Sequence, residues 1–208
     1  MARYTGPSCK LCRREGKKLF LKGDRCLSDK CAVSRRATVP GQHGAGRKTV
    51  KEYGMQLREK QTARRYYGVQ EKQFKKYYVK ADKKSGIAGE NLLSILESRY
   101  DNAVYRMGLA SSRKEARQLV RHGHFTLNGK KADIPSIILK VGDVIELREK
   151  SRSSEKFKGL MEDMANVTAP KWLDLNKDAA SAKVIAMPAR DDVDFDFNEQ
   201  LIIELYSK

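Results

Sequence analysis

The spacing of hydrophobic residues between positions 50 and 98 predicts helices. Apolar residues recur there every three or four positions, which places them on one side of a helix and leaves the other side polar. The pattern favours three helices, over residues 50–67, 69–84 and 90–98. We expect Val50, Tyr53 and Leu57 to form the apolar face of the first helix.

The second of these predicted helices has two contrasting faces. Its apolar stripe comprises Phe74, Tyr77, Tyr78 and Ala81. The opposite side carries four lysines: Lys72, Lys76, Lys80 and Lys83. Most of these lysines have no glutamate four positions away that could neutralise them within the helix. An unneutralised row of lysines favours a phosphate-bearing partner over a merely solvated surface.

The pattern changes after the third helix. A short helix over 99–108 ends in a glycine, and another helix begins after Ser112, which forms a capping box with Glu115. Alternating apolar residues then lead into Asn128-Gly129, a strong signal for a two-residue hairpin, and residues 141–147 predict a returning strand. Two short helices with basic faces followed by a small sheet are typical of a binding module. Nothing in this stretch is typical of a catalytic site.

The remainder of the chain adds helices and one strand. The pattern predicts a helix over 154–167, a strand near 183–187 and a C-terminal helix over 198–206. Together with the elements before them, these predict an α+β fold in two domains. We expect the boundary between the domains near residues 89–98, where a Gly-rich turn precedes a short hydrophobic helix.

Four cysteines near the N-terminus predict a metal site. Cys9 and Cys12 are separated by two residues, Cys26 and Cys31 by four, and thirteen residues separate the two pairs. In a reducing compartment this spacing is typical of a four-cysteine knuckle around a tetrahedral metal. We expect one structural Zn²⁺, with an iron–sulfur cluster or four unliganded thiols as less favoured alternatives. Neighbouring Lys and Arg side chains would lower the pKa of the thiols.

The charge of the chain indicates a polyanionic partner. It carries 43 Lys and Arg against 26 Asp and Glu, a net charge of +17, and residues 1–90 alone hold 24 basic and 8 acidic side chains. We favour nucleic acid over an anionic membrane, because the basic residues are spread over short helices and turns. No apolar run is long enough for a membrane span or a signal peptide, so we expect a cytoplasmic protein.

A glycine-rich loop, residues 41–49, comes close to a phosphate-binding P-loop. The motif fails because Arg47 stands where its lysine should be, and because no apolar strand precedes it. His43 in the same loop has no acid or nucleophile beside it in the sequence. We therefore expect a basic loop that contacts phosphates, and no enzymatic activity.

Several motifs in the second half resemble the S4 RNA-binding domain. They are Ser112-Arg-Lys-Glu-Ala-Arg117, Gly123-His124 with Asn128-Gly129-Lys130, and Gly142-Asp143. That domain also occurs in pseudouridine synthases and some tRNA synthetases, so it implies structured RNA as the ligand. Flanking motifs narrow the resemblance to the ribosomal protein S4 family of the small subunit. They include Met1-Ala-Arg-Tyr, Pro40-Gly-Gln-His-Gly44, Tyr53-Gly-Met-Gln-Leu-Arg-Glu-Lys-Gln61 and Leu201-Ile-Ile-Glu-Leu-Tyr-Ser-Lys208.

This resemblance implies a domain arrangement and a set of partners. The metal knuckle and basic extension would cover 1–46, a mostly helical domain 47–97 plus 170–208, and an inserted S4-type domain, two helices on a small twisted β-sheet with a following helix, 98–169. The family implies primary binding of 16S rRNA at a multi-helix junction, nucleation of assembly, and a place beside the incoming mRNA with influence on decoding accuracy. It also implies contact with ribosomal protein S5 and other small-subunit proteins, and no homo-oligomer.

Basic and polar residues on the predicted helices, turns and hairpin are the candidates for RNA contacts. In the first domain they are Arg3, Arg13, Arg14, Lys17, Lys18, Arg35, Arg36, Gln42, His43, Arg47, Lys48, Lys51, Arg58, Arg64, Arg65, Lys72 and Lys76. In the second they are Arg99, Asn102, Arg106, Arg113, Lys114, Arg117, Gln118, Arg121, His122, Asn128, Lys130 and Lys131. Such residues neutralise crowded phosphates, so we expect the affinity for RNA to fall steeply with salt.

Other functions remain open from the sequence. The same module could serve an accessory or regulatory RNA-binding protein of ribosome biogenesis. An RNA-modifying enzyme would need a catalytic motif, and the rest of the sequence contains none of the usual ones. A zinc-knuckle regulator of duplex DNA would use a recognition helix and usually a dimer seam, but the sequence has no sustained heptad repeat.

Overall fold

The computed structural model describes residues 3–46 and 49–207, without the side chain of residue 165. The helices are α1 (Ser8–Glu15), α2 (Ala32–Arg35), α3 (Glu52–Tyr66), α4 (Glu71–Asp82), α5 (Ala88–Glu97), α6 (Tyr100–Arg106), α7 (Arg113–Arg121), α8 (Glu149–Arg152), α9 (Glu155–Ala165) and α10 (Glu199–Ser207). The strands are β1 (Phe125–Leu127), β2 (Lys130–Lys131), β3 (Val144–Leu147), β4 (Leu173–Asn176) and β5 (Ser181–Val184). Short 3-10 helices lie at Gly23–Cys26 and Arg190–Asp192.

The chain forms two compact units. Unit 1 comprises Met1–Leu92 and Phe195–Lys208, and unit 2 comprises Leu93–Asp194. Both kinds of secondary structure are present, which confirms the predicted α+β class with a helical N-terminal part. None of the helices in the described part of the chain is long and apolar enough to cross a membrane.

Helix α3 of unit 1 buries a different face from the predicted one. Val50 and Tyr53 are 55% and 61% exposed, so the expectation that they form its apolar face is wrong. The buried residues of α3 are instead Gln56, Lys60, Thr62, Ala63 and Tyr66. Hydrophobic spacing could not identify this face because most of the residues on it are polar.

Polar contacts explain how α3 buries such residues. Gln56 Nε2 donates to Glu204 Oε2 of α10 at 3.1 Å. Lys60 Nζ donates to Glu71 Oε1 of α4 at 2.8 Å, and the hydroxyl of Tyr206 donates to the same oxygen at 2.8 Å. Buried polar groups are tolerated only when they are hydrogen-bonded, and these contacts join three helices of unit 1.

Unit 2 is built on an antiparallel sheet with the strand order β2-β1-β3-β5-β4. The hairpin between β1 and β2 pairs Leu127 with Lys130. Its two turn residues, Asn128 and Gly129, both have positive φ, 51° and 75°, as a type I′ turn requires. The predicted two-residue hairpin is therefore confirmed.

Helices and sheet of unit 2 enclose one hydrophobic core. Fully buried members come from α6, α7, β1 and β3, among them Tyr100, Val120, Phe125 and Ile145. Trp172, immediately before β4, is 1% exposed and belongs to the same core. This packing fixes the positions of α6 and α7, which carry most of the candidate RNA contacts in this unit.

The domain boundaries predicted for the C-terminal third need correction. We expected residues 170–208 to join the helical domain, but β4 and β5 complete the sheet of unit 2. Val144 of β3 pairs with Lys183 of β5, and Leu173 of β4 pairs with Val184. Only the residues from Phe195 onward group with unit 1. The first division follows Leu92, inside the range 89–98 predicted for it but before the bound at residue 97.

Candidate nucleic-acid interface and cysteine pocket

The four cysteines of the N-terminal region line one pocket. Cys9 and Cys12 lie on α1, Cys26 ends a 3-10 helix, and Cys31 immediately precedes α2. The pocket is completed by Lys22, Arg25, Ala32 and Val33. All four thiols are free, and only Cys9 is more than slightly exposed. The two sequence pairs therefore do converge in space.

The pKa values of the thiols only partly follow the prediction. Burial raises the pKa of Cys12; a backbone hydrogen bond at Leu19 opposes this, and negative charge on the other three cysteines adds to the rise. Burial also acts upward on Cys31, but backbone hydrogen bonds from the start of α2 and the charge of Lys18 leave its pKa lowered. The expected lowering is therefore wrong for Cys12. For Cys31 its direction is confirmed, but backbone hydrogen bonds contribute more to it than the predicted basic side chains do.

The pocket does not have the geometry of a metal knuckle in this structure. Across residues 3–46 and 49–207, no group of three or more His, Cys, Asp or Glu side chains is arranged so that it could hold a metal ion. The donor chemistry fits Zn²⁺, since four thiols share one pocket. Their sulfur atoms would have to move toward a common centre to bind it.

Four of the predicted RNA contacts lie inside unit 2. Arg99 is 1% exposed, and its guanidinium donates to both carboxylate oxygens of Asp101, at 3.0 Å and 2.6 Å. Arg106 is 8% exposed; it donates to Glu97 at 2.8 Å and 3.1 Å and also forms an ion pair with Asp194. A guanidinium enclosed in this way cannot also neutralise a phosphate without leaving its carboxylate unpaired.

Asn102 and Arg113 belong to the same buried network. Asn102 Nδ2 donates to the Glu97 backbone carbonyl at 2.9 Å and to its carboxylate at 2.6 Å, and Asn102 Oδ1 accepts from Arg113 Nε at 2.8 Å. The guanidinium of Arg113 also lies 4.4 Å from the centre of the Tyr105 ring. These contacts join α5, α6 and α7. The assignment of Arg99, Asn102, Arg106 and Arg113 to RNA binding is therefore corrected: they hold the fold.

Exposure increases along α7 toward its C-terminus. Arg113 is buried, and Arg117 is partly exposed with Nη1 3.1 Å from Asp101 Oδ2. Gln118 and Arg121 are exposed, and Lys114 is intermediate. The expected basic row of α7 is thus available to a partner mainly over its last turn.

The hairpin presents lysines beside a structural asparagine. Asn128 donates to Asp143 Oδ1 at 2.9 Å and accepts from the Val144 backbone N–H at 2.8 Å, so its amide ties the turn to β3. Lys130 and Lys131 on β2 are exposed. His122, at the end of α7, is exposed as well.

In unit 1, several predicted contacts are engaged by neighbouring groups. Glu15 forms ion pairs with Arg58 at 3.1 Å and with Arg65. Arg64 donates to Gln61. The other engaged residues are Arg13, whose guanidinium donates to the carbonyl of Thr38, and Lys17, which lies 3.7 Å from Glu59. Lys17 is exposed and the other four are partly exposed, so a contact with RNA would compete with an existing partner.

The remaining predicted contacts of unit 1 reach the surface. The exposed ones are Arg3, Arg14, Arg35, Arg36, Gln42, His43, Lys51, Lys72 and Lys76, and Lys18 is intermediate. Arg47 and Lys48 lie outside the described residues. The described residues of this set are at least partly exposed to solvent, and their contacts with RNA stay predictions.

Helix α4 has the two faces that its sequence predicts. Phe74, Tyr77 and Ala81 are buried, with exposures of 0%, 1% and 0%. The lysine face, which we define as Lys72, Lys76, Lys80 and Lys83, is exposed along its whole length. None of these four lysines forms an ion pair with another residue that the structure describes.

Two residues near the end of α7 were missed by the sequence reasoning. His124 and Arg148 lie beside the predicted contacts His122 and Lys131, although neither was named as a candidate. Gly123-His124 was visible as a motif and could have been included. Arg148 could not, because it follows β3 and is brought to the turn only by the pairing of β3 with β1.

Two family models match this chain. Residues 3–97 match the ribosomal protein S4/S9 N-terminal domain, and residues 99–145 match the S4 domain. The two matched segments follow one another along the chain with one residue between them. The resemblance noted from the sequence motifs is therefore confirmed on both segments.

Similar proteins match from end to end. The chain is 66% identical to the small ribosomal subunit protein uS4 of Clostridioides difficile and 63% identical to that of Acetivibrio thermocellus. The protein of the same name from Heliobacterium modesticaldum is 59% identical. Each comparison covers 208 residues and the full length of both chains. The chain belongs to the small ribosomal subunit protein uS4 family.

Proposed function

We propose that this chain is a structural protein of the small ribosomal subunit in the cytoplasm, and that it binds 16S rRNA without catalysing a reaction. The observation that carries the proposal is the full-length identity of 59–66% to proteins named small ribosomal subunit protein uS4. The exposed lysine face of α4 and the exposed lysines of the hairpin support it, because they offer charge that the fold itself does not neutralise.

The binding mechanism follows from these surfaces. Exposed Lys and Arg side chains displace counterions from the RNA backbone, and the gain in counterion entropy contributes strongly to affinity. Double-stranded RNA offers few base edges to side chains, so recognition depends on the shape and phosphate spacing of the folded RNA. The buried arginines contribute indirectly, by holding α6 and α7 in a fixed arrangement beneath the exposed residues.

An equilibrium binding assay tests this proposal. The purified chain should bind 16S rRNA far more tightly than duplex DNA of equal length at the same salt concentration. The logarithm of the association constant should fall linearly with the logarithm of the salt concentration, with a slope of about −0.7 to −0.9 per phosphate contact. Equal affinity for the two nucleic acids would contradict the proposal.

Finer roles follow from the family and are part of the proposal. We expect the chain to bind a multi-helix junction early, to nucleate subunit assembly, to contact ribosomal protein S5, and to lie near the incoming mRNA, where it influences decoding accuracy. Reconstitution with and without the chain tests the order of binding. An accessory biogenesis factor would leave the particle as it matures, whereas a structural protein remains in mature 30S subunits on a sucrose gradient.

We also propose that the cysteine pocket binds one structural Zn²⁺ through Cys9, Cys12, Cys26 and Cys31, with an iron–sulfur cluster as the less favoured alternative. The support is that all four cysteines line the same pocket. Four protein thiolates would leave no open coordination position, so the metal would stabilise the N-terminal fold and activate no water. Binding would release protons, because the thiols must ionise.

Metal analysis of the purified chain tests the zinc proposal. We expect about one zinc per chain, no visible absorption from iron and sulfide, and loss of the metal in Cys12→Ser. Chelation should lower the thermal midpoint of the wild type and leave that of Cys12→Ser unchanged. A wild-type chain that carries no metal, and whose thermal midpoint is the same with and without chelator, would contradict the zinc proposal.

A further inference from the structure

A cluster of positive groups surrounds the turn that ends α7. The turn is a Schellman motif: the N–H of Gly123 donates to the carbonyl of Val120 at 2.9 Å, and that of His124 to the carbonyl of Leu119 at 3.3 Å. Gly123 has a φ of 74°, which favours glycine. These bonds use the backbone N–H groups of the turn, so any ligand here must be held by side chains.

Arg148 is fixed against the turn from the end of β3. Its Nη1 donates to the carbonyl of Gly123 at 3.0 Å, and its backbone N–H donates to the carbonyl of His124 at 2.9 Å. A guanidinium has five N–H donors, so one bond to Gly123 leaves others for a ligand. Arg148 is thus both positioned and capable of further contacts.

Lys131 reaches the same turn from the hairpin. Its side chain passes so close to Gly123 that a β-carbon at that glycine would lie 2.6 Å from Lys131 Cε. The absence of a side chain at position 123 therefore lets the lysine chain lie over the turn. The exposed ring of His122 has its centre 6.1 Å from that of His124.

His124 is held in a defined orientation among these cations. Its Nδ1 lies 3.0 Å from Ser151 Oγ, and its ring packs 4.9 Å from the ring of Phe157. The contact with Ser151 engages Nδ1, so Nε2 is the ring nitrogen that remains to donate to a ligand. Burial lowers the pKa of His124, and the nearby charges of His122, Lys156 and Arg148 lower it further.

We propose that His122, His124, Lys131 and Arg148 form a phosphate-binding site for the RNA, and that His124 gains a proton when the phosphate binds. The inference rests on the proposed function, because it takes RNA to be the ligand. A phosphate of the RNA backbone would add negative charge beside the imidazole, and this would favour its charged form. The charged groups at the site are His122 directly after α7, Lys131 of β2, Arg148 after β3, and Lys156 of α9, whose Nζ is 2.6 Å from Glu115 Oε1 of α7. Arg121 precedes His122 in the sequence.

Proton uptake gives the binding a distinctive pH dependence. The pKa of His124 is lowered in the free chain and should rise beside a bound phosphate, so binding takes up protons and the affinity for RNA should fall as the pH rises. Each unit by which the bound phosphate raises the pKa of His124 corresponds to about a tenfold change in affinity between the two protonation limits. The dependence should be confined to the region between the free and the bound pKa values.

Binding of the full chain to 16S rRNA at fixed salt, from about pH 5.5 to about pH 8, tests the site. The wild-type affinity should fall several-fold over this range, and His124→Gln should abolish most of the fall. Lys131→Gln should weaken binding at every pH and reduce the magnitude of the salt slope by about one. The matched control Lys171→Gln removes an exposed lysine just before β4, at the opposite edge of the sheet, and should change neither quantity.

Proton NMR of the imidazoles supplies a second measurement that does not depend on affinity. The chain has three histidines, so single His→Gln variants assign each signal. The pKa of His124 should rise when RNA is added. An unchanged His124 pKa, with Lys131→Gln and Lys171→Gln binding alike, would overturn the inference while the proposed function stands. A wild-type chain that fails to bind 16S rRNA would overturn both.

Discussion

Helix α4 in unit 1 and the α6–α7 pair in unit 2 both carry regularly spaced positive side chains, but the fold uses them in opposite ways. Arg99 and Arg106 are buried against the carboxylates of Asp101 and Glu97. The lysine face of α4 is exposed and meets no such partner in the described part of the chain. Regular positive spacing in a sequence therefore does not distinguish a nucleic-acid surface from an internal ion-pair network.

The difference lies in where the acidic residues point. Glu97 ends α5 and Asp101 lies in the first turn of α6, and both carboxylates reach arginines of α6 and α7. Glu71 begins α4, but its carboxylate is taken by Lys60 of α3 and by Tyr206 of α10. The residue types also suit their places, because the planar guanidinium can satisfy several acceptors at once, whereas an ammonium is strongly hydrated and suits an exposed position.

The largest expected effect comes from removing the carboxylate at the centre of the buried network. Glu97→Gln leaves Arg106 without its main counter-charge and should lower the free energy of unfolding by roughly 3 kcal/mol. Urea denaturation measures this. Glu90→Gln, an exposed glutamate on the same helix α5, is the matched control and should change stability by less than about 0.5 kcal/mol. If both substitutions lower the free energy of unfolding equally, the proposed distinction between buried and exposed charges is wrong.

Neutralising the lysine face should affect binding and leave stability unchanged. With Lys72, Lys76, Lys80 and Lys83 all changed to Gln, the affinity for 16S rRNA should fall by about tenfold or more, and the magnitude of the salt slope should decrease by about 2 to 3. Filter binding at several salt concentrations measures both. An unchanged slope would show that this face is merely solvated.

Two arginines on α7 allow the comparison within a single helix. Arg117→Gln removes an ion pair to Asp101 and should cost about 1 kcal/mol of stability, because Arg99 still satisfies that carboxylate. Arg121→Gln removes an exposed charge and should leave stability unchanged while weakening RNA binding about threefold. Denaturation and RNA binding should be measured on both variants. A loss of stability only in Arg121→Gln, with a loss of binding only in Arg117→Gln, would refute the distinction between the two arginines.

The smallest effect concerns the pH dependence of stability in unit 1. Burial acts to raise the pKa of Glu71, but hydrogen bonds from Lys60 and Tyr206 outweigh it, and the pKa is lowered. A lowered carboxyl pKa contributes stability above the unfolded value, near pH 4.5, that is lost as the pH falls through the folded value. Glu71→Gln should therefore narrow the stability difference between about pH 6 and about pH 3.5 in thermal unfolding. If the stability difference between the two pH values is the same in Glu71→Gln as in the wild type, the Glu71 carboxylate does not stabilise the fold in this way.

Local signals in the sequence were sufficient for part of the fold. Asn128-Gly129 predicted its hairpin because a type I′ turn needs positive φ at its two central residues, which these two residue types adopt readily. Ser112 predicted the start of α7, and its side chain accepts from the Glu115 N–H, although the Glu115 carboxylate turns to Ser111 rather than back to Ser112. The stripe of α4 was equally clear, because one face is apolar throughout.

Long-range pairing set the limit of prediction. Strand β5 enters the sheet by pairing with the distant strand β3, and β4 enters it by pairing with β5. The local pattern predicted a strand near 183–187, but it did not show that this strand joins the sheet of unit 2 rather than the helical domain. Arg106 also forms an ion pair with Asp194, which lies 88 residues further along. Candidate RNA contacts chosen by residue type therefore included arginines whose partners only the tertiary structure reveals.

Lysine acetylation with and without 16S rRNA, read by mass spectrometry, tests the central claim most directly. The claim is that RNA is bound by positive side chains that the fold leaves exposed and unneutralised. RNA should reduce the acetylation of Lys76, Lys80 and Lys131 several-fold and leave that of Lys171 unchanged. If saturating RNA leaves the acetylation of Lys76, Lys80 and Lys131 as unchanged as that of Lys171, the claim is contradicted.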